Sequence, residues 1–299
     1  MSARSRLRLF KFPVKNQLHR FTRSKFGSFL FFAILISGGL FSVLPLVYCI
    51  TTSFKPLDEL LIFPPTLFTV KRPTIANYTA IPDLLSGLSV PITRYAFNSI
   101  FVSIIGTFLS VIISAMAAFV LSKTEMKFNK LIFTVVQFSL LFNAYTLSVP
   151  QYIVYSKIGI INTYLAYIVP AAASSMGVFL MKQYMDGYVP YALIEAAHID
   201  GAGWIGIFTR IVLPIVRPCV LTLVMFSFLG IWNSVPSGTI FSESLKTLPT
   251  VMSTIAAGGL ARSGSSMATS VILMIFPIAV YLISQGSIKE TMGSAGIKG

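Results

Sequence analysis

Six stretches of the chain are apolar over roughly the twenty residues that a helix needs to cross the hydrocarbon core of a bilayer: 27–52, 98–122, 131–154, 163–181, 219–236 and 267–286. None has a charged residue in its interior. This excludes most water-soluble architectures. A chain of 299 residues that is 55% hydrophobic and only 11% charged carries more apolar surface than one aqueous core can bury. The pattern predicts an all-α integral membrane protein with six transmembrane helices. It divides the chain into a basic tail (1–26), a six-span transmembrane domain (27–286) and a C-terminal tail (287–299).

Orientation follows from the cations. Residues 1–25 hold eight Lys and Arg and no acid. If that tail is cytoplasmic, alternation through six spans leaves sixteen Lys and Arg inside and seven outside. Excess positive charge stays on the cytoplasmic side, so both termini are expected there, in a plasma membrane crossed many times. The net charge of +14 then suits a membrane surface rather than nucleic acid. The first apolar run is too long for a cleaved signal peptide and no small-residue cleavage site closes it, so it reads as a retained anchor. Cys49 and Cys219 fall on opposite sides of this topology and read as small buried residues, not as a disulfide or a metal site.

Two outer connections are long. Residues 53–96 contain six prolines and predict little helix beyond a turn or two. Residues 237–266 are rich in Ser, Thr and Gly and predict a mobile loop. Within span two, Ser110, Ser114 and Ala118 repeat every four residues, a spacing that lets helices approach closely in lipid. Polar groups at membrane depth must pair or face water. Asn143, Tyr145, Thr146, Gln151 and Tyr152 cluster around Pro150, where interhelical hydrogen bonding and a lining for a polar pathway are both possible readings. Trp232 and Asn233 place an aromatic plate beside an amide, which suits a sugar, although Trp near an interface is also a common anchor.

The most informative segment interrupts this apolar pattern: "EAAHIDGAGWIGIFTRIVLP", residues 195–214. Pro190 suits a helix start and Gly201 a left-handed stop, so a helix of about ten residues is expected. Trp204, Ile207, Phe208 and Ile211 then fall on one face of a second helix that Pro214 closes. Two short helices around a glycine turn make a knuckle within a cytoplasmic loop of about 182–218. A helix lying on lipid prefers Lys and Arg on its polar face. This one offers Glu195 and Asp200, with small Ala196 and Ala197 beside them, and so points to a basic protein partner.

The pattern of Glu195, Ala196, Ala197, then Asp200, Gly201, Ala202, then Phe208, Ile211, Leu213 and Pro214 resembles the cytoplasmic signature of permease subunits of ABC importers, the EAA motif. "SFKPLDELLIFPP", "PTIANY", "FNSIFVS", "IGIINTYLAYIVP" and the terminal "GSAGIKG" are similar to the carbohydrate-uptake, maltose-type branch, so the resemblance runs from about residue 26 to 299. It implies a type I importer permease whose coupling helix lies between spans four and five. In that role Glu195, Ala196, Ala197, Asp200, Gly201, Ala202, Leu213 and Pro214 would seat on a cytoplasmic ABC ATPase dimer. It also implies a second permease subunit, a heterodimer partner, and an extracytoplasmic sugar-binding protein received by the outer loops.

No G-x-x-x-x-G-K-[ST] phosphate loop occurs, so ATP and Mg would be used by the separate ATPase and no cofactor by this chain, which is not itself an enzyme. Asn143, Tyr145, Gln151, Trp232 and Asn233 are the candidate pathway residues. "VPQY" and "WNSVPSG" depart from the family's usual pattern at Gln151 and Pro236. A self-sufficient ion-coupled carrier is the rival reading. It would require ionisable groups within the membrane, and these six spans have none.

Overall fold

The computed structural model describes residues 25–63, 66–87, 89–142, 144–236 and 238–295, with only the backbone described for 25, 144, 145 and 286–295. The basic tail through residue 24, Asn143 and the terminal residues 296–299 lie outside the described residues. Among the described residues all regular structure is helical. The chain divides between Val47 and Tyr48 into two units.

The first unit is the bulk of α1 (Lys25–Ser53), apolar throughout, with Pro45 inside it. Its hydroxyls turn inward on their own helix: Ser37 donates to the Ile34 carbonyl at 3.3 Å and Ser42 to that of Gly38 at 2.9 Å. Lipid offers polar groups no alternative partner.

The second unit begins with the short α2 (Leu57–Leu60) and α3 (Ala76–Leu84), followed by the long α4 (Ile92–Lys123). The central helix α4 is inside-out by aqueous standards. It buries Ser99, Ser103, Ser110 and Ser114 while Ile104, Phe108 and Met116 are exposed. Small polar residues at helix contacts and large apolar residues facing outward are what a lipid solvent selects. The four-residue stripe predicted in span two is the contact itself: Ser110, Ser114 and Ala118 are all buried. A side chain at Gly177 would run into Ser114 Oγ, so glycine there permits the close approach.

The predicted third span is two helices, α5 (Asn129–Ser139) and α6 (Ala144–Lys157). At 1.5 Å per residue neither covers a bilayer core of about 30 Å. The break includes residues 140–142, and Pro150 is inside α6. The fourth span is also divided, into α7 (Leu165–Ala172) and α8 (Ser175–Tyr188). Ser174 caps α8 by accepting the Gly177 N–H at 3.1 Å, and helix continues seven residues past the expected end at 181.

Next come α9 (Tyr191–Ile199), α10 (Trp204–Ile207), a π turn (Phe208–Val212), α11 (Leu213–Ile215) and α12 (Arg217–Trp232). The axis bends by 82° between Trp204–Ile215 and Arg217–Trp232. The chain closes with α13 (Leu248–Ala256) and α14 (Ser263–Ala295). Among the described residues four helical stretches are long and apolar enough to cross a membrane, and a fifth counts if the bent pair is one span. Six spans were expected; the third is the one that contributes no helical stretch long enough to cross.

The two long connections, 53–96 and 237–266, are more ordered in their described residues than their composition predicts. Leu248, Val251, Met252 and Ile255 of α13 are buried with Ile81 of α3, Tyr95 of α4 and Ala268 of α14. Asn98 donates to the carbonyls of Ser244 and Lys246 at 2.8 and 2.9 Å. Asn162, in the left-handed region at φ 58°, accepts the N–H groups of Phe241 and Ser242 at 3.0 and 2.8 Å. Much of the stretch expected to be mobile is therefore pinned to α4 and to the start of α7.

Candidate functional site

The knuckle is built from backbone rules outward. Val189 is extended, Pro190 opens α9 at φ −63°, ψ 141°, and Asp200 closes it. Gly201 lies at φ +79°, where a side chain is strained. The Gly201 N–H donates to the His198 carbonyl at 3.0 Å and the Ala202 N–H to that of Ala197 at 2.9 Å. These two bonds make a Schellman stop, which satisfies carbonyls that the end of a helix leaves free. The second helix loosens into the π turn just before Pro214, which lacks an N–H and crowds the preceding turn.

This geometry sorts the predicted coupling residues by face. Ile194 and Ala197 are buried with Ile207, Val212 and Val216, against Met181 and Met185 of α8 and Phe119 of α4. Ala202 and Leu213 are half-buried on the same cluster. Glu195, Ala196, Asp200, Gly201 and Pro214 are exposed. The side chains of Glu195 and Asp200 make no hydrogen bond or ion pair among the described residues. Trp204, expected on the apolar face, is 47% exposed and closes the turn, with its ring 4.4 Å from His198 and 6.0 Å from Phe119.

Two surface residues escaped the sequence reading. Ile199 and Ile205 are 87% and 81% exposed, so the outward face combines two acids with bare apolar side chains. Their signal was available: neither falls on the i, i+3, i+4 face that packs inward.

The knuckle's neck is held by a buried cation. Lys123, at the end of α4, donates from Nζ to the Val189 carbonyl at 2.7 Å, at the junction of α8 and α9. Tyr191 returns a bond from its hydroxyl to the Lys123 carbonyl at 3.2 Å, and its ring lies 5.8 Å from the ammonium. Beside it, Asp186 accepts from Ser122 at 2.5 Å and pairs with Lys182 at 2.6 Å. The ends of α4 and α8 are thereby tied to the start of α9.

A cavity of about 590 Å³ opens among α4, α6, α7, α8 and α12. Gln151 lines it and donates to the hydroxyl of Tyr155, which also lines it. Ser110 and Ser227 face each other there at 3.1 Å.

Of the other pathway candidates, Trp232 and Asn233 do not line this cavity. Trp232 is buried at 2% exposure, stacked on Phe228 at 5.7 Å and against Phe276 at 4.8 Å, and its Nε1 has no hydrogen-bond partner among the described residues. Asn233 lies just past α12 and donates to the Leu229 carbonyl at 3.0 Å. The α12 helix ends at Trp232; Gly230 and Ile231 before it and Ser234, Val235 and Pro236 after it line the cavity. Asn143 lies outside the described residues, and of Tyr145 only the backbone is described.

Known proteins agree with this architecture. The chain is 28% identical over 277 residues to the sulfoquinovosyl glycerol transport system permease protein SmoH of Agrobacterium fabrum, covering 91% of this chain and 93% of that one. It is 27% identical over 286 residues to the inner membrane ABC transporter permease protein YcjP of Escherichia coli, covering 93% and 98%. A chain from the crystal structure of a bacterial ABC transporter involved in the import of the acidic polysaccharide alginate superposes with a TM-score of 0.72, at 18% identity, over 88% of this chain and 98% of that one. No family model matches the sequence. An all-helical fold, helices long and apolar enough to cross a membrane, and these relatives together support an integral membrane permease of the ABC transporter class. Within that class its similarity is to carbohydrate-uptake permeases.

Proposed function

We propose that this chain is a permease subunit of an ATP-driven importer for a sugar or oligosaccharide, and that it takes its driving force from a separate ATPase through residues 190–214. The observation that carries the coupling role is the exposed face of the knuckle. Among the described residues Glu195 and Asp200 stand without internal partners, near Ile199 and Ile205, on a knuckle whose opposite side is locked into the core. Exposed apolar side chains flanked by unpaired acids suit a partner protein with a basic rim.

In this reading both termini and the knuckle are cytoplasmic, and ATP and Mg are bound by the ATPase dimer alone. A second permease completes the pathway. An extracytoplasmic binding protein delivers the sugar to the outer connections. The relatives' transport of saccharides supports the substrate class.

Affinity purification of the detergent-solubilised chain from its native membrane, followed by mass spectrometry, tests the assembly. An ATP-binding subunit, a second permease and a binding protein are expected. Recovery of this chain alone, under conditions that keep other ABC complexes intact, would overturn the coupling role.

A further inference from the structure

Among the described residues no charged side chain lines the cavity. Its lining contributes an amide (Gln151), phenols (Tyr152, Tyr155) and hydroxyls (Ser110, Ser227, Ser234), together with apolar surface. The apolar stretches that line it have no cation of their own. Residues 98–122, 131–154, 163–181 and 219–236, which supply most of the lining, contain no Lys, Arg, Asp or Glu. Flanking cations such as Lys130, Lys157, Lys182 and Arg217 belong to the ends of these stretches.

Resting on the saccharide reading above, we propose that the cavity is a site for a neutral saccharide and rejects acidic ones. The solved structure with the same fold belongs to a transporter of an acidic polysaccharide, so shared architecture does not settle the question and the lining must. A sugar ring offers C–H faces to the tyrosine rings, and its hydroxyls exchange hydrogen bonds with the amide and the serines. Each of those groups both donates and accepts, which matches hydroxyls. A carboxylate or sulfate placed at membrane depth needs a cation or several convergent N–H donors. Here it would meet one amide, some hydroxyls and hydrocarbon. The volume, about 590 Å³, falls within the range of roughly 300–1,000 Å³ in which small-molecule pockets occur, so a short saccharide fits. Gln151 is the specificity residue, the one side chain in this lining with two N–H donors and a carbonyl.

The test uses the assembled transporter in lipid vesicles with its binding protein. ATP-dependent uptake is measured for neutral trisaccharides (maltotriose, raffinose, xylotriose) and acidic ones (trigalacturonate, trimannuronate). At least one neutral sugar is expected to enter tenfold faster than either acidic sugar. Gln151→Lys and, on a different helix, Ser227→Lys should each lower that uptake at least tenfold, with Gln151→Asn losing less than threefold. Co-purification of the ATPase with each variant reports assembly. Faster uptake of an acidic sugar by a complex that retains its ATPase would overturn the neutral-ligand proposal and leave the permease role standing. Full uptake by both lysine variants would also overturn it. Failure of every saccharide would overturn this proposal and the saccharide reading together, and loss of the ATPase as well would remove the coupling role.

Discussion

The knuckle and the cavity are made by opposite means. The knuckle is contiguous: a proline at its start, a glycine at φ +79° in its middle and a proline near its end shape it from within. The cavity has no sequence of its own. Ser110, Gln151, Ala171 and Ser227, from four different helices, meet only because those helices pack together. A contiguous device presents its functional groups outward on a rigid base. A composite one presents them inward, and every helix contact in the core affects it. Substitutions at the knuckle surface should therefore damage coupling without damaging the fold, whereas substitutions at helix contacts should damage both.

The largest effect tests the first half of that contrast. Glu195→Lys should reduce coupled uptake to background while the protein remains in the membrane at normal level, as read by transport assay and membrane immunoblot. Normal uptake would break the comparison. Close behind, Gly177→Leu drives a side chain into Ser114 and overpacks α4 against α8. It should cost about 1–3 kcal/mol and lower both thermal stability and uptake.

Lys123→Met lies between the regions, because it removes the buried donor to the Val189 carbonyl. A loss of about 1.5–3 kcal/mol is expected, read as a lower unfolding midpoint, with Lys123→Arg recovering part of it. Ile199→Ser should change stability by less than about 0.5 kcal/mol, since the side chain is almost fully exposed, yet weaken recovery of the ATPase subunit several-fold in co-purification. The smallest effect is expected of Trp232→Phe. The aromatic stack on Phe228 and Phe276 persists and an unpaired Nε1 is removed, so stability should shift by no more than about 1 kcal/mol and uptake by less than twofold. A much larger loss of uptake would return Trp232 to the pathway.

Particular residues show which signals reached the sequence. Gly201 was legible as a stop because the need for positive φ is local, and its two hydrogen bonds close within five residues. Ser110, Ser114 and Ala118 were legible as a contact stripe because a helix repeats its faces at fixed spacing. The loop 237–266 was read as mobile because what pins residues 241–246 of it is far away. Asn98 lies about 150 positions earlier and Asn162 about 80, and no window of Ser and Gly records those bonds. Trp232 and Asn233 looked like a sugar site because their chemistry fits one, but the register of α12 turns Trp232 into the core and leaves Gly230 and Ile231 on the cavity side.

By itself the sequence determined the solvent, the helical class and the knuckle. Each follows from composition or from short-range geometry: apolar length against bilayer thickness, and capping residues at helix ends. Only the tertiary structure decided where the third span breaks, that α13 is packed, that Lys123 is a buried tie, and which uncharged side chains share a cavity. Those outcomes depend on which helix faces meet, and that choice is made by packing and by hydrogen bonds between residues tens of positions apart, where a linear pattern contains no record of the partner.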